Sequence, residues 1–256
     1  MHVQFTPGLD VAELVLEAFT LFFIGLVIYL RREDRREGYP VEDDRTGRIL
    51  SHGGPLNEPR QKLFRLPHGR GTVVKPDYDR DPFDLPARSA GGFHGAPLVP
   101  TGNPLVDGVG PAAWAERRRV PDLDWEGRPR IARLRDAADV TVSRRDPTLI
   151  GWTLVDLDRK AAGTIEELWV DRLDRLVRYL EVRLDGGRTV LAPMAMAKVN
   201  ARGRFVMVDA LTAAQMAEAP VPETDGVLTF YDEERILAYF GGGYLYATPA
   251  RAEPLL

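Results

Sequence analysis

Asp171, Asp174 and Arg178 stand three and four residues apart at the end of the segment Leu168-Trp169-Val170-Asp171 and just beyond it. Two carboxylates with an arginine nearby suit proton exchange. Burial raises a carboxyl pKa, a guanidinium lowers it, and a group balanced between the two trades protons near neutral pH. An exposed acidic loop with ordinary ion pairs fits the same spacing, and spacing alone favours it. Asp122, Asp124 and Glu126 pose the same choice, between a solvated acidic turn and a proton-collecting surface. Other reactive side chains are few. The chain has no cysteine, which excludes disulfides, thiolate metal sites and cysteine nucleophiles. Its four histidines, His2, His52, His68 and His94, lack metal-ligand spacing, and no metal site is expected. His68 reads as a loop histidine bonded to backbone. Gly69 and Gly71 beside it suit an anion, but two glycines carry little weight.

No GxGxxG, Walker A loop, HExxH, GxSxG or EF-hand loop occurs, and no nucleophile has a base beside it. The chain is therefore expected not to be an enzyme by itself. At 256 residues, 44% hydrophobic and with a net charge of −4, it is long enough for a real core and too acidic for a general nucleic-acid binder.

The elements that position these carboxylates begin with a membrane anchor. Val11–Leu30 runs twenty residues with only Glu13 and Glu17 charged. At about 1.5 Å per residue it reaches roughly 30 Å, the hydrocarbon thickness of a bilayer. Asp10 stands where an N-cap belongs. A buried core helix is one alternative and a cleaved signal peptide another, but a signal peptide carries its basic residues before the apolar run. Here Arg31, Arg32, Arg35 and Arg36 follow it. The positive-inside rule then puts residues 1–10 in the periplasm, a span at 11–30 and the bulk of the chain in the cytoplasm. The same four arginines are candidates for binding anionic lipid headgroups.

Residues 31–127 read as an extended Pro-rich segment. Eleven of the twenty prolines lie between Pro40 and Pro111, including Pro55, Pro59, Pro67, Pro76, Pro82, Pro86, Pro97, Pro100 and Pro104. Each removes a backbone donor and disfavours helix before it. Scattered apolar residues, Leu63, Phe64, Val73, Val74, Phe83, Phe93 and Trp114 among them, suit a ribbon pressed against a partner. From residue 128 to 256 the pattern changes to short alternating runs. Arg178–Asp185 and Thr189–Leu191 flank a Gly186-Gly187 turn, Lys198-Val199 and Phe205–Val208 flank Arg202-Gly203-Arg204, and Glu166–Asp171 makes another strand. A small antiparallel barrel or sandwich is expected. A helix is predicted over Asp232–Phe240, stopped by Gly241–Gly243.

These residues resemble the H subunit of the purple-bacterial photosynthetic reaction centre. The resemblance runs through Tyr29–Pro40 (YLRREDRREGYP), Leu66–Thr72, Pro100–Pro104, Asp107–Trp114, Leu168–Asp171, Arg178–Val182 and Gly241–Ala247, in order from end to end. It implies a mainly β fold: one N-terminal transmembrane helix, an extended Pro-rich segment, a cytoplasmic PRC-barrel and a short C-terminal helix. Its place is the bacterial inner (intracytoplasmic) membrane. The subunit binds no pigment. It caps the cytoplasmic face of the L and M subunits, stabilises the assembly, shields the quinone sites and assists proton delivery to the secondary quinone. The other subunits hold bacteriochlorophyll, bacteriopheophytin, quinones, a non-haem iron and a carotenoid. A cytochrome subunit, a light-harvesting ring and membrane lipids are further expected partners, and nucleic acid is not. Asp171, Asp174 and Arg178 match the family's acid, acid and arginine cluster below the secondary quinone, and Asp124 an acid at the proton-uptake surface. Many relatives have glutamate where Asp174 stands, which shortens the reach by one methylene and invites a bridging water. Some place histidines where Trp125, Glu126 and Arg128 occur, leaving Glu126 as the substitute acceptor. A tethered barrel docking a partner unrelated to light is the competing reading, and the match in the span and its flank argues against it.

Overall fold

A computed structural model describes residues 4–6, 9–39, 41–43, 45–48, 58–77 and 84–252. His2, Pro7, Gly8, Pro40, His52, Pro55, Pro82 and Phe83 lie outside the described residues. The chain forms two compact units, Met1–Phe83 with Gly92–Ala96, and Asp84–Gly91 with Pro97–Leu256.

In the first unit the short strands β1 (Gln4–Thr6) and β2 (Leu9–Asp10) pair and lead into helix α1, Val11–Glu33. The Asp10 carboxylate caps it by accepting the Ala12 N–H at 3.2 Å. The helix outlasts the predicted span by three residues, because Arg31, Arg32 and Glu33 are good helix formers with no proline or glycine to interrupt them. None of its residues is buried, and its apolar side chains face outward all round. A soluble core helix would hide that surface, so α1 has the length and character of a membrane span. Beyond a 3₁₀ turn at Asp34–Arg36, strands β3 (Lys62–Arg65) and β4 (Thr72–Lys75) make an antiparallel hairpin. The tip turns on positive φ at His68 (57°), Gly69 (68°) and Gly71 (85°). His68 is exposed there and makes no backbone hydrogen bond among the described residues, since water serves an exposed ring.

The second unit opens with the hairpin β5 (Ala87–Ser89) and β6 (Leu98–Pro100) and the one-turn helix α2, Pro104–Asp107. The sheet follows: β7 (Ile131–Arg133), β8 (Thr153–Val155), β9 (Ala161–Asp171), β10 (Leu176–Leu184), β11 (Thr189–Pro193), β12 (Ala197–Asn200) and β13 (Phe205–Val208). Both predicted hairpins form, as β10–β11 and β12–β13. The order is β11-β10-β9-β8-β13-β12, and β7 shares with β8 the β9 edge that β10 leaves open. Two expectations are corrected. The sheet is not closed, because β11 and β12 are joined through a 3₁₀ turn at Met194–Met196 rather than paired. Nor is it wholly antiparallel, for β8 and β13 run parallel. The class remains mainly β, a sheet-rich unit with a C-terminal helix.

Helices α3 (Ala213–Glu218) and α4 (Phe230–Tyr246) complete it, each opened by a capping box, Thr212/Gln215 and Thr229/Asp232. The predicted stop at Gly241–Gly243 is wrong: α4 runs through all three. A Cβ at Gly242 would lie 2.6 Å from the Ala112 Cβ and 3.0 Å from Leu105 Cδ2, and one at Gly243 would strike the Ala210 carbonyl. The glycines let α4 press on its neighbours. That contact draws in part of the Pro-rich stretch. Leu105, Val109 and Ala112 are buried, so residues 97–127 pack with the sheet unit although the sequence assigned them to the extended segment. Trp169, Tyr179, Leu180, Ile236 and Phe240 fill the core, each large side chain contributing about 1.5–3 kcal/mol by leaving water.

Candidate functional site

The turn between β9 and β10 is built by Asp171. Its Oδ1 accepts the backbone N–H of Leu173 at 2.9 Å and of Asp174 at 3.0 Å, and Arg175 completes the reversal with φ of 53°. The carboxylate is 1% exposed. A buried anion needs a counter-ion, and β7 supplies it. Ile131 pairs with Asp171, and the Arg172 N–H donates to the Arg130 carbonyl, so Arg130 enters directly over the turn. Its Nε lies 2.9 Å from Asp171 Oδ2, its Nη2 2.6 Å from Asp174 Oδ2, and its Nη1 3.5 Å from Asp122 Oδ2. One guanidinium thus gathers three predicted acids.

The guanidinium that bonds Asp171 and Asp174 is that of Arg130, while Arg178 meets a different acid. Arg178 lies on β10, and its Nη2 is 3.8 Å from Glu233 of α4, which also accepts the Tyr179 hydroxyl at 3.2 Å. On β10 Arg178 stands two residues beyond Leu176, the partner of Asp171, about 7 Å along the strand. Neither Arg130 nor Glu233 was identified from sequence. Arg130 is 41 residues from Asp171 and Glu233 is 54 from Tyr179. The one local signal was the Arg128-Pro129-Arg130 run ahead of Ile131.

Asp124 and Glu126 form a second, separate group around Arg128. The Asp124 Oδ1 accepts the backbone N–H of Glu126 and of Arg128, each at 2.9 Å, and its Oδ2 meets Arg128 Nε at 2.9 Å. Arg128 Nη2 also pairs with Glu126 at 2.6 Å. Asp124 is 1% exposed, so the turn is not simply a solvated acidic loop.

These environments divide the acids. Burial pushes the Asp171 carboxyl up, but the Arg130 guanidinium and the two backbone N–H groups outweigh it and hold the pKa below the ordinary aspartate value. Asp124 follows the same pattern, burial being overcome by the Arg128 backbone and side chain. Both acids stay ionised near neutral pH. Glu233 goes the other way: burial raises it, and Arg178 and Tyr179 only partly compensate, while Asp122 adds to the rise. Asp174 is 52% exposed. Other buried acids are structural. Glu181 accepts Trp169 Nε1 at 2.7 Å and Arg133 Nε at 2.8 Å, Asp156 accepts the N–H of Lys160 and Ala213, and Asp232 belongs to the α4 capping box.

The four arginines after the span part company as well. Arg36 donates to Glu33, to the Arg60 carbonyl at 2.8 Å and to the Lys75 carbonyl at 3.0 Å, clamping the β3–β4 hairpin to the end of α1. Arg32 donates to the Glu58 carbonyl at 3.2 Å, Arg35 lies over the Tyr39 ring, and Arg31 is exposed. Among the described residues no three histidine or carboxylate side chains are grouped to hold a metal ion.

Residues 3–136 match the family described as photosynthetic reaction centre, H-chain N-terminal region, and residues 142–215 match the PRC-barrel domain. The Arg130–Asp171 pair joins the two matched regions, and Glu233 lies outside both. The first match covers more than half of the chain. With the one apolar N-terminal helix and the sheet-rich unit, it establishes that the chain belongs to the photosynthetic reaction-centre H-chain family and is a single-pass membrane subunit of a reaction centre.

Proposed function

We propose that this subunit caps the cytoplasmic face of the L and M subunits, stabilises them, shelters their quinone sites and helps protons reach the secondary quinone. Residues 1–10 are then periplasmic and the sheet unit cytoplasmic, in the inner membrane. The pigments, quinones, non-haem iron and carotenoid belong to the other subunits in this reading. Quinone reduction to quinol consumes protons, and charge accumulating in a buried site is costly until they arrive.

The observation that carries the reading is the single Arg130 guanidinium within 3.5 Å of Asp122, Asp171 and Asp174. Three carboxylates sharing one cation leave two negative charges uncompensated, a local field that draws protons. Asp171 holds Arg130 in place without itself taking a proton. Asp174, exposed and held by one bond to Arg130, is the acid of the cluster that solvent reaches most readily. Because Arg130 remains anchored by Asp171, the carboxylate of Asp174 returns to the same position after each transfer. Glu233, with its raised proton affinity, is a further acceptor on the adjoining helix. Asp124 and Glu126, fixed around Arg128, supply negative potential at the proton-uptake surface.

Flash spectroscopy tests this. Asp174→Asn is expected to slow the proton-coupled second electron transfer to the secondary quinone by about tenfold, equivalent to ~1.4 kcal/mol of barrier. Asp171→Asn in addition slows it further. Wild-type rates in the double variant would remove both residues from the path.

A further inference from the structure

The β3–β4 hairpin carries four basic residues, Lys62, Arg65, Arg70 and Lys75, and no carboxylate, in a chain whose net charge is −4. Its register sorts the strands into two faces. Lys62, Phe64, Val73 and Lys75 share one face, and Leu63, Arg65, Thr72 and Val74 the other. Every residue of the second face is exposed, Leu63 by 66% and Val74 by 40%. Arg65 has no partner among the described residues. Exposed aliphatic side chains flanking an unpaired guanidinium make a poor water-facing surface.

The depth of the hairpin is fixed by its ties to the span. Lys62 Nζ pairs with Glu33 at 2.7 Å and lies 5.8 Å from the centre of the Tyr29 ring, in the last turn of the apolar run. Arg36 grips the Arg60 and Lys75 carbonyls at the two strand ends. The open end of the hairpin is therefore at the level where the hydrocarbon gives way to headgroups. A four-residue strand extends only about 13 Å from there.

We propose that the Leu63–Arg65–Thr72–Val74 face is a lipid-binding surface that rests on anionic phospholipid headgroups beside α1. The proposal rests on reading α1 as a span, and not on the proton path. Leu63 and Val74 enter the boundary between headgroups and acyl chains, and Arg65 pairs with a headgroup phosphate. Basic charge without a single acid favours an anionic lipid surface over a protein partner.

The chain lacks cysteine, so Leu63→Cys gives the full-length protein one site for a nitroxide. The label is read in nanodiscs of phosphatidylcholine with and without phosphatidylglycerol, by collision with oxygen, which favours lipid, and with a nickel chelate, which favours water. Leu21→Cys, at the middle of the span, is the control. Phosphatidylglycerol is expected to shift the Leu63 label from nickel-accessible to oxygen-accessible. Arg65→Gln reduces that preference about fivefold, the factor for ~1 kcal/mol per basic residue at an anionic surface. A Leu63 label that stays nickel-accessible in both lipids, while the Leu21 label is lipid-buried, overturns the proposal and leaves the span intact. A nickel-accessible Leu21 label overturns the span reading itself. In the intact reaction centre, a Leu63 label closed to both reagents would show a protein partner on this face and overturn the lipid assignment.

Discussion

Arg130→Met removes the cation from Asp171 while nearly preserving the aliphatic stem. The remaining carboxylate keeps two backbone N–H donors, at 2.9 and 3.0 Å, but no counter-ion among the described residues. Stripping one partner from a fully buried pair costs about 3–5 kcal/mol. Here the Arg130 side chain is 27% exposed, so water can enter the vacated volume, and we expect about 2 kcal/mol at pH 7. At roughly 2–4 °C per kcal/mol for a domain of this size, the unfolding midpoint falls by about 4–8 °C. Thermal unfolding of the full chain in detergent, followed by the fluorescence of buried Trp152 and Trp169, reads it. The pH dependence separates charge from packing. Asp171 is held below its unfolded pKa, so its contribution is present above about 3.9 and disappears as pH falls through the folded value. The gap between wild type and Arg130→Met must therefore be widest near neutrality and shrink below about pH 4. Adding Asp171→Asn to Arg130→Met should recover about 1 kcal/mol, because the amide oxygen still accepts the two N–H groups without a buried charge. A loss that is the same at every pH, or no loss, refutes the counter-ion role of Arg130.

The adjacent glycines of α4 should respond with opposite signs. Gly241→Ala meets nothing closer than 3.8 Å and gains helix propensity, stabilising by about 0.5–1 kcal/mol. Gly242→Ala drives its Cβ into Ala112 and Leu105 and loses about 1–2 kcal/mol net of that gain. Denaturant midpoints with an unchanged slope check both, and equal signs would remove the close-packing explanation. Glu233 sits above its unfolded pKa, so its ionisation costs stability as pH rises past the ordinary glutamate value. Glu233→Gln, which still accepts the Tyr179 hydroxyl, should match wild type near pH 4 and equal or exceed it at pH 7; a variant less stable at pH 7 sinks that assignment.

What the sequence made legible was local. The span could be read because an apolar run of bilayer length followed by four arginines is a one-dimensional signal. The β10–β11 hairpin could be read because Leu180, Val182 and Leu184 alternate with charged residues ahead of a Gly-Gly turn. Strands β7 and β8 gave no such pattern, each having three residues, and it is β7 that delivers Arg130. Asp171 and Asp174 were visible as a pair because the turn between them is local. The arginine that bonds them, Arg130, and the neighbouring Glu233 were not, because contacts 41 and 54 residues apart exist only once β7 pairs with β9 and α4 packs on the sheet. Gly241–Gly243 misled for a related reason: a glycine that ends a helix and one that admits a neighbour look alike until the neighbour is placed.

Side chains of the same type take different roles here because their surroundings differ by only a few ångströms. Asp171 and Asp174 bind one guanidinium from the same turn, yet Asp171 is 1% exposed and accepts two backbone N–H bonds, while Asp174 is 52% exposed. A carboxylate surrounded by donors cannot give up its negative charge cheaply, so it serves as a fixed post. A proton path built only of such posts would stall, since no member would accept the proton. One built only of exposed acids would let Arg130 swing away at each protonation. In the proposed path, pairing a fixed Asp171 with an exposed Asp174 around one arginine meets both demands. It makes Arg130, rather than either acid, the residue whose loss should disturb position and proton affinity together.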